Sequence, residues 1–187
     1  MSSATMEARD RVRKGLAVEQ QIANSLRKSG LVLEDSTNSQ DILQKVDRWI
    51  VKDGVKTPLQ IKYRESGDDI LFEVFDTFVG WNNPKNKIGR DMEGIAAKYA
   101  VLIKGTITVI PTQTAKELIQ EMLMEARQNG WSKKGMNGAT LYFRQDGYEM
   151  QLKLQSDPFD GRQKIVAYIP ADYFQSQRMA QTFKLAV

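Results

Sequence analysis

Residues 45–64 read KVDRWIVKDGVKTPLQIKYR, two β-prone runs on either side of Lys52, Asp53 and Gly54. An Asp-Gly pair between runs rich in Val, Ile, Trp and Tyr predicts a hairpin with strands near 45–51 and 57–64. The period of two then sets the faces. Asp47, Trp49 and Val51 share one side of the first strand, and Val46, Arg48 and Ile50 the other. On the second strand Leu59, Ile61 and Tyr63 face a core, which sends Gln60, Lys62 and Arg64 to the opposite side. If the strands pair so that Asp47 and Gln60 share a face, an acid, an amide and an amine come together.

The preceding segment is helical over residues 5–28, with Thr5 as N-cap and Gly30 as stop. Val12, Leu16, Glu19, Ala23 and Leu26 recur every three or four residues, so they form one stripe whose apolar character Glu19 interrupts. A carboxylate buried without a partner carries a large desolvation cost, so Glu19 requires a cation, a hydrogen-bond donor or solvent. The hairpin is the nearest surface for this stripe to cover, which carries Glu19 towards Asp47 and Gln60.

Further along, residues 31–44 read as a surface loop, ILFEVFD near 70–76 as a third strand, and GWNNPKNKIGR over 80–90 as a second loop. DMEGIAAKYA supplies a helical turn or two, and YAVLI and TITVI flank Lys104 and Gly105 as another hairpin. After Pro111 an amphipathic helix begins at Thr112 or Thr114 and runs to about Gln128, with Leu118, Ile119, Met122, Leu123 and Ala126 inward. GATLYFR, YEMQLKLQ and QKIVAYI add three strands, the first two joined at Asp146 and Gly147, and a short helix follows over 171–179. With 187 residues, 41% of them hydrophobic, the chain suffices for one domain with a substantial core. The expected class is α/β: a helix, mixed β-sheet, helix core over about 5–130, with C-terminal β-strands appended at about 137–170, all in a single domain over 1–187.

Neither Cys nor His occurs. That excludes disulfides, thiolate or imidazole zinc sites, Ser-His-Asp triads and any nuclease whose general base is histidine. Catalysis in such a chain rests on carboxylates, amides, Lys, Arg, Tyr or hydroxyls. The 27 basic and 23 acidic residues leave a net charge of +4, which permits a polyanionic partner without demanding one. MSSATMEARDRVRK lacks the apolar core of a secretory signal, and no run of about 18 apolar residues occurs, so a cytoplasmic protein with no membrane partner is expected.

The order Glu19 on a helix, Asp47 on a strand, then Gln60, Ile61 and Lys62 on the next strand resembles the PD-(D/E)XK, or restriction-endonuclease-like, nuclease superfamily. The pattern is similar to its variant with Gln in place of the second acid. SQDILQKVDRWIVKDGVKTPLQIKYR carries the match, and the likeness extends over about residues 5–111. Val46 stands at the position of the motif's Pro, and Gln60 brings one negative charge fewer than an acid. The resemblance implies a restriction-endonuclease-like core and a hydrolase that cuts DNA with magnesium, manganese substituting, and with no small organic cofactor. By the same resemblance Asp47 is the main metal ligand, beside the Gln60 side-chain oxygen and the Ile61 carbonyl, with Glu19 bound directly or through water. Lys62 either steadies the attacking hydroxide and the phosphoryl charge as an ammonium, or takes a proton as a neutral amine. Sites of this kind cut one strand each, so cleavage of both strands implies a homodimer. The short chain, without helicase or methylase segments, resembles nucleases that phages encode.

Other readings stand beside these. Gln60 and Lys62 alone also describe a half-exposed strand with its polar side outward, and Glu19 alone a helix-edge residue paired to a cation. Asp41 reads as a loop or cap residue, and Ser36, Thr37 and Ser39 as turn formers near enough to touch a phosphate. Arg64 contacts a neighbouring phosphate or lies in solvent. Trp81, Lys85, Lys87 and Arg90, interleaved with Asn82, Asn83 and Asn86, suit nucleic-acid backbone contacts and stacking, and equally a solvated basic loop. Arg9, Arg11, Arg13 and Lys14, and Lys133 and Lys134 beside Trp131, are further basic candidates. Two other functions fit: a DNA-binding module that keeps the fold without catalysis, motivated by Gln60, and a protein-interaction domain that uses its sheet.

Overall fold

A computed structural model of the chain describes residues 3–37, 44, 46–63, 67–136, 138–157 and 160–186, with side chains from Arg13 onward. In chain order these form α1 (Ser3–Lys28), β1 (Val32–Asp35), β2 (Arg48–Lys52), β3 (Val55–Tyr63), β4 (Asp69–Thr77), β5 (Lys87–Ile88), α2 (Arg90–Glu93), β6 (Lys98–Ile103) and β7 (Thr106–Pro111). There follow α3 (Thr112–Gln128), β8 (Lys133–Gly135), β9 (Gly138–Gln145), β10 (Tyr148–Ser156), β11 (Gln163–Pro170), α4 (Ala171–Ser176) and β12 (Gln181–Lys184). The class is α/β, and no described helix is long and apolar enough to cross a membrane.

The chain divides into two compact units, one of residues 1–67, 96–110 and 180–187, the other of 68–95 and 111–179. This departs from the expected single domain with a core over 5–130 and strands appended after 137. Residues 68–95 and 111–130 belong with the later strands because β4 pairs with β11, while the place beside β3 is taken by β6.

In the first unit the strand order is β1-β2-β3-β6-β7-β12, with β3 and β6 parallel and the β1–β2, β2–β3 and β7–β12 pairs antiparallel. The sheet is mixed, as expected. Ile22, Ala23 and Leu26 of α1 form a buried core with Leu59, Ile61, Ala100, Leu102, Ile107 and Val109, and Ile50 packs against it. Each fully buried Leu or Ile contributes about 1.5–3 kcal/mol, so this stripe, more than helix propensity, holds α1 in place. The helix stops at Gly30 (φ 93°): Leu31 N–H donates to the Leu26 carbonyl at 3.1 Å and Gly30 N–H to the Arg27 carbonyl at 3.0 Å, a Schellman closure.

The second unit holds an antiparallel sheet of order β5-β4-β11-β10-β9-β8 and the helices α2, α3 and α4. Three hairpins across the chain turn on Asp53-Gly54, Lys104-Gly105 and Asp146-Gly147, where both residues have positive φ, the conformation that a two-residue turn needs to match strand twist. Leu123 of α3 is half-buried rather than fully inward, and α4 ends three residues sooner than expected. β1, β5, β8 and β12, none of them expected from the sequence pattern, are the four edges of the two sheets.

Candidate active site

Asp47 stands one residue before β2, where the chain enters the sheet, and is only 5% exposed. Four hydrogen bonds hold it. Its N–H donates to the Leu59 carbonyl at 3.0 Å, and its carbonyl accepts from Ser36 Oγ at 2.9 Å and Arg48 Nη1 at 2.6 Å. Its carboxylate Oδ2 accepts from the Ile61 N–H at 2.5 Å. A buried anion seated on a backbone donor in this way is held in one orientation by a charge-assisted bond. Ser36, read from the sequence as a turn former, braces the Asp47 backbone across the start of β2.

The hairpin pairs Arg48 with Leu59 and Lys52 with Val55, so one further step places Asp47 opposite Gln60. Leu59 and Ile61 join the α1 core, which sends Gln60 and Lys62 to the face of β3 turned away from α1. Gln60 is 2% exposed, and Tyr99, its register partner on the parallel strand β6, is 1% exposed. Lys62 lies over that ring, with Nζ 4.9 Å from the centroid. The π face attracts a cation placed over it. Tyr63, expected in the core, is instead 43% exposed at the last residue of β3.

Glu19 is half-buried on α1, on the stripe that carries Ile22, Ala23 and Leu26 and faces the Leu59–Ile61 side of the sheet. It therefore does not share a sheet face with Gln60 and Lys62. The neighbouring Gln20 accepts a hydrogen bond through Oε1 from Arg48 Nη2 at 3.3 Å, which sets this turn of α1 beside the start of β2.

Among the described residues no three acidic side chains gather into a group that could hold a metal ion. The candidate set has two carboxylates, Glu19 and Asp47, and takes its other oxygens from the Gln60 amide and the Ile61 carbonyl. All four are hard donors, and a small charge completed by water suits magnesium, which keeps several waters and needs only one or two carboxylates. The donor types fit the ion.

Trp81, Lys85 and Lys87 occupy the β4–β5 connection and β5 in the second unit, and Arg90 opens α2. Arg64, Asp41 and Ser39 fall outside the described residues. The second unit also holds an ionic cluster with no signal in the sequence: Lys164 Nζ lies 2.8 Å from Asp157, 3.7 Å from Asp76 and 3.9 Å from Glu73. Burial raises the Glu73 carboxyl above its usual range against the pull of Lys164, and the hydrogen bond to Asp157 raises the Lys164 ammonium. No family model, curated protein or solved structure matches the chain.

Proposed function

We propose that this protein is a metal-dependent endonuclease that hydrolyses phosphodiester bonds in DNA. One observation carries the reading: a buried Asp47 carboxylate seated on the Ile61 amide, opposite Gln60, with Lys62 one alternation further along the same face. Asp47, the Gln60 amide oxygen and the Ile61 carbonyl would hold a magnesium ion, with Glu19 joining directly or through water. The ion supplies Lewis acidity for the phosphoryl oxygens and a source of hydroxide. Asp47, fixed by its four hydrogen bonds, needs little rearrangement on binding, which is the condition for electrostatic stabilisation at low cost. Lys62, with the Tyr99 ring beneath it, would steady the phosphoryl charge as an ammonium or take a proton as a neutral amine.

Gln60 also favours a second reading, a DNA-binding module without catalysis, because an amide adds no charge to a metal site. Supercoiled plasmid and a branched junction, each incubated with magnesium or manganese and with EDTA, separate the two. Metal-dependent cleavage that disappears in Asp47→Ala and in Lys62→Ala supports the nuclease. Binding without cleavage selects the module, and cleavage undiminished in both variants removes this site from the chemistry. Cutting of both strands would call for a homodimer, readable by sedimentation.

A further inference from the structure

In the second unit two separate stretches are joined by aromatic rings. Trp81, between β4 and β5, stacks on Trp131, just before β8, with centroids 6.2 Å apart and ring planes inclined by 17°. Phe78 meets Trp81 edge-on at 5.1 Å and Phe75 at 5.5 Å, so the stack is anchored to β4. Both indoles are half-buried, and each keeps part of its surface in solvent.

Positive charge gathers on the same two stretches. Residues 80–90 carry Lys85, Lys87 and Arg90 and no acid, and residues 129–138 carry Lys133 and Lys134 and no acid. Three and two make +5, against +4 for the whole chain, so the remainder nets −1. The four lysines are exposed, and each is at most six residues from a stacked indole, a chain reach of about 20 Å. Two of the three asparagines that the sequence offers as contacts, Asn83 and Asn86, are engaged with neighbouring backbone. Asn86 Oδ1 accepts from Val79 N–H at 2.8 Å, Asn86 Nδ2 donates to the Gly80 carbonyl at 2.8 Å, and Asn83 Oδ1 accepts from Lys85 N–H at 2.9 Å. They hold the loop's shape and leave the rings and ammonium groups to meet a partner.

We propose that the Trp81–Trp131 pair and its four lysines form a binding site for single-stranded DNA, the rings taking bases and the ammonium groups phosphates. Stacking on aromatic faces tolerates any base, and lysines in two stretches that themselves carry no acid suit a phosphate chain. A duplex hides its base faces, so the indoles favour an unpaired strand. The inference rests on the proposed function only for naming the polyanion as DNA, and it adds a substrate class: DNA with an unpaired segment, such as a flap, fork or gap.

Trp49 is the third tryptophan, so Trp49→Phe leaves the patch as the sole indole reporter. That variant is titrated in EDTA with a thymidine oligonucleotide of about twenty residues, longer than the ~4–16 nucleotides that such sites span. The expected result is quenched fluorescence, an affinity that falls steeply with salt, and weaker binding of a blunt duplex of equal length. Replacing Lys85, Lys87, Lys133 and Lys134 together by Ala, all at exposed positions, should flatten the slope of log affinity against log salt by about 2.8, four contacts at about 0.7 each. Unchanged affinity and slope in that variant, or a duplex bound as tightly as the single strand, would overturn the proposal. No metal is present and no cleavage is read, so failure here leaves the Asp47 site standing, and an inactive protein that binds leaves this inference standing.

Discussion

Asp47 has two separable jobs, and two substitutions divide them. Asp47→Ala removes the charge and also the acceptor for the Ile61 N–H, whereas Asp47→Asn keeps a carbonyl oxygen of nearly the same shape. Ile61 is buried, so its amide left without an acceptor costs about 1–3 kcal/mol. In a chain of this length each kcal/mol moves the melting temperature by about 2–4 °C, so the Ala variant should melt about 2–12 °C below wild type. The Asn variant should melt between the two. If Asp47 holds the metal, both variants lose cleavage, each by a factor of about 10² or more, the scale seen when one preorganised electrostatic group is removed. Calorimetric melting and plasmid nicking on the same preparations read both effects. An Asn variant that cuts at the wild-type rate would show that Asp47 only braces β3, and an Ala variant as stable as wild type would refute the anchoring.

Gln60→Glu adds a charge beside Asp47, so magnesium affinity measured by calorimetry should rise; an unchanged affinity places Gln60 away from the ion. Tyr99→Leu removes the ring beneath Lys62, worth about 0.5–2 kcal/mol, and should slow cleavage about 2- to 30-fold while Tyr99→Phe does not, with circular dichroism confirming that both fold. Glu73 is raised chiefly by burial, so its contribution to stability is present below the ordinary glutamate range and is lost as pH rises through the raised value. Glu73→Gln should therefore match wild type in acid and become the more stable protein towards neutrality; a melting difference that does not vary with pH contradicts this. At Gly89 a Cβ would lie 2.2 Å from the Glu73 carbonyl oxygen, so Gly89→Ala should cost about 1–3 kcal/mol in the second unit, read by denaturant titration.

Among the described residues the eight interior strands were readable because each lies inside a sheet and carries a clear apolar run or alternation, as in YAVLI at β6 and QKIVAYI at β11. The four edges were not. VLED, KI, KKG and QTFK are short and mostly charged or polar, the composition that protects an edge from further pairing, and the same composition reads as loop. The hairpin register, Arg48 opposite Leu59, was readable because a two-residue turn at Asp53 and Gly54 sets it. Tyr99 beneath Lys62 was not, since nothing in the sequence tells which strand lies parallel to β3 across the intervening residues. The meeting of Trp81 with Trp131, and of Ser36 with Asp47, depends on tertiary packing in the same way. The stripe that carries Glu19 was visible, but which sheet face it covers was settled only by the packing of Leu59 and Ile61.

The most direct measurement is the position of manganese in a crystal of the wild-type protein, located by its anomalous scattering. A single strong peak is expected about 2.1 Å from a carboxylate oxygen of Asp47, with the Gln60 amide oxygen or the Ile61 carbonyl also in its shell. A peak instead among Glu73, Asp76 and Asp157, or none near Asp47 at saturating manganese, would contradict it.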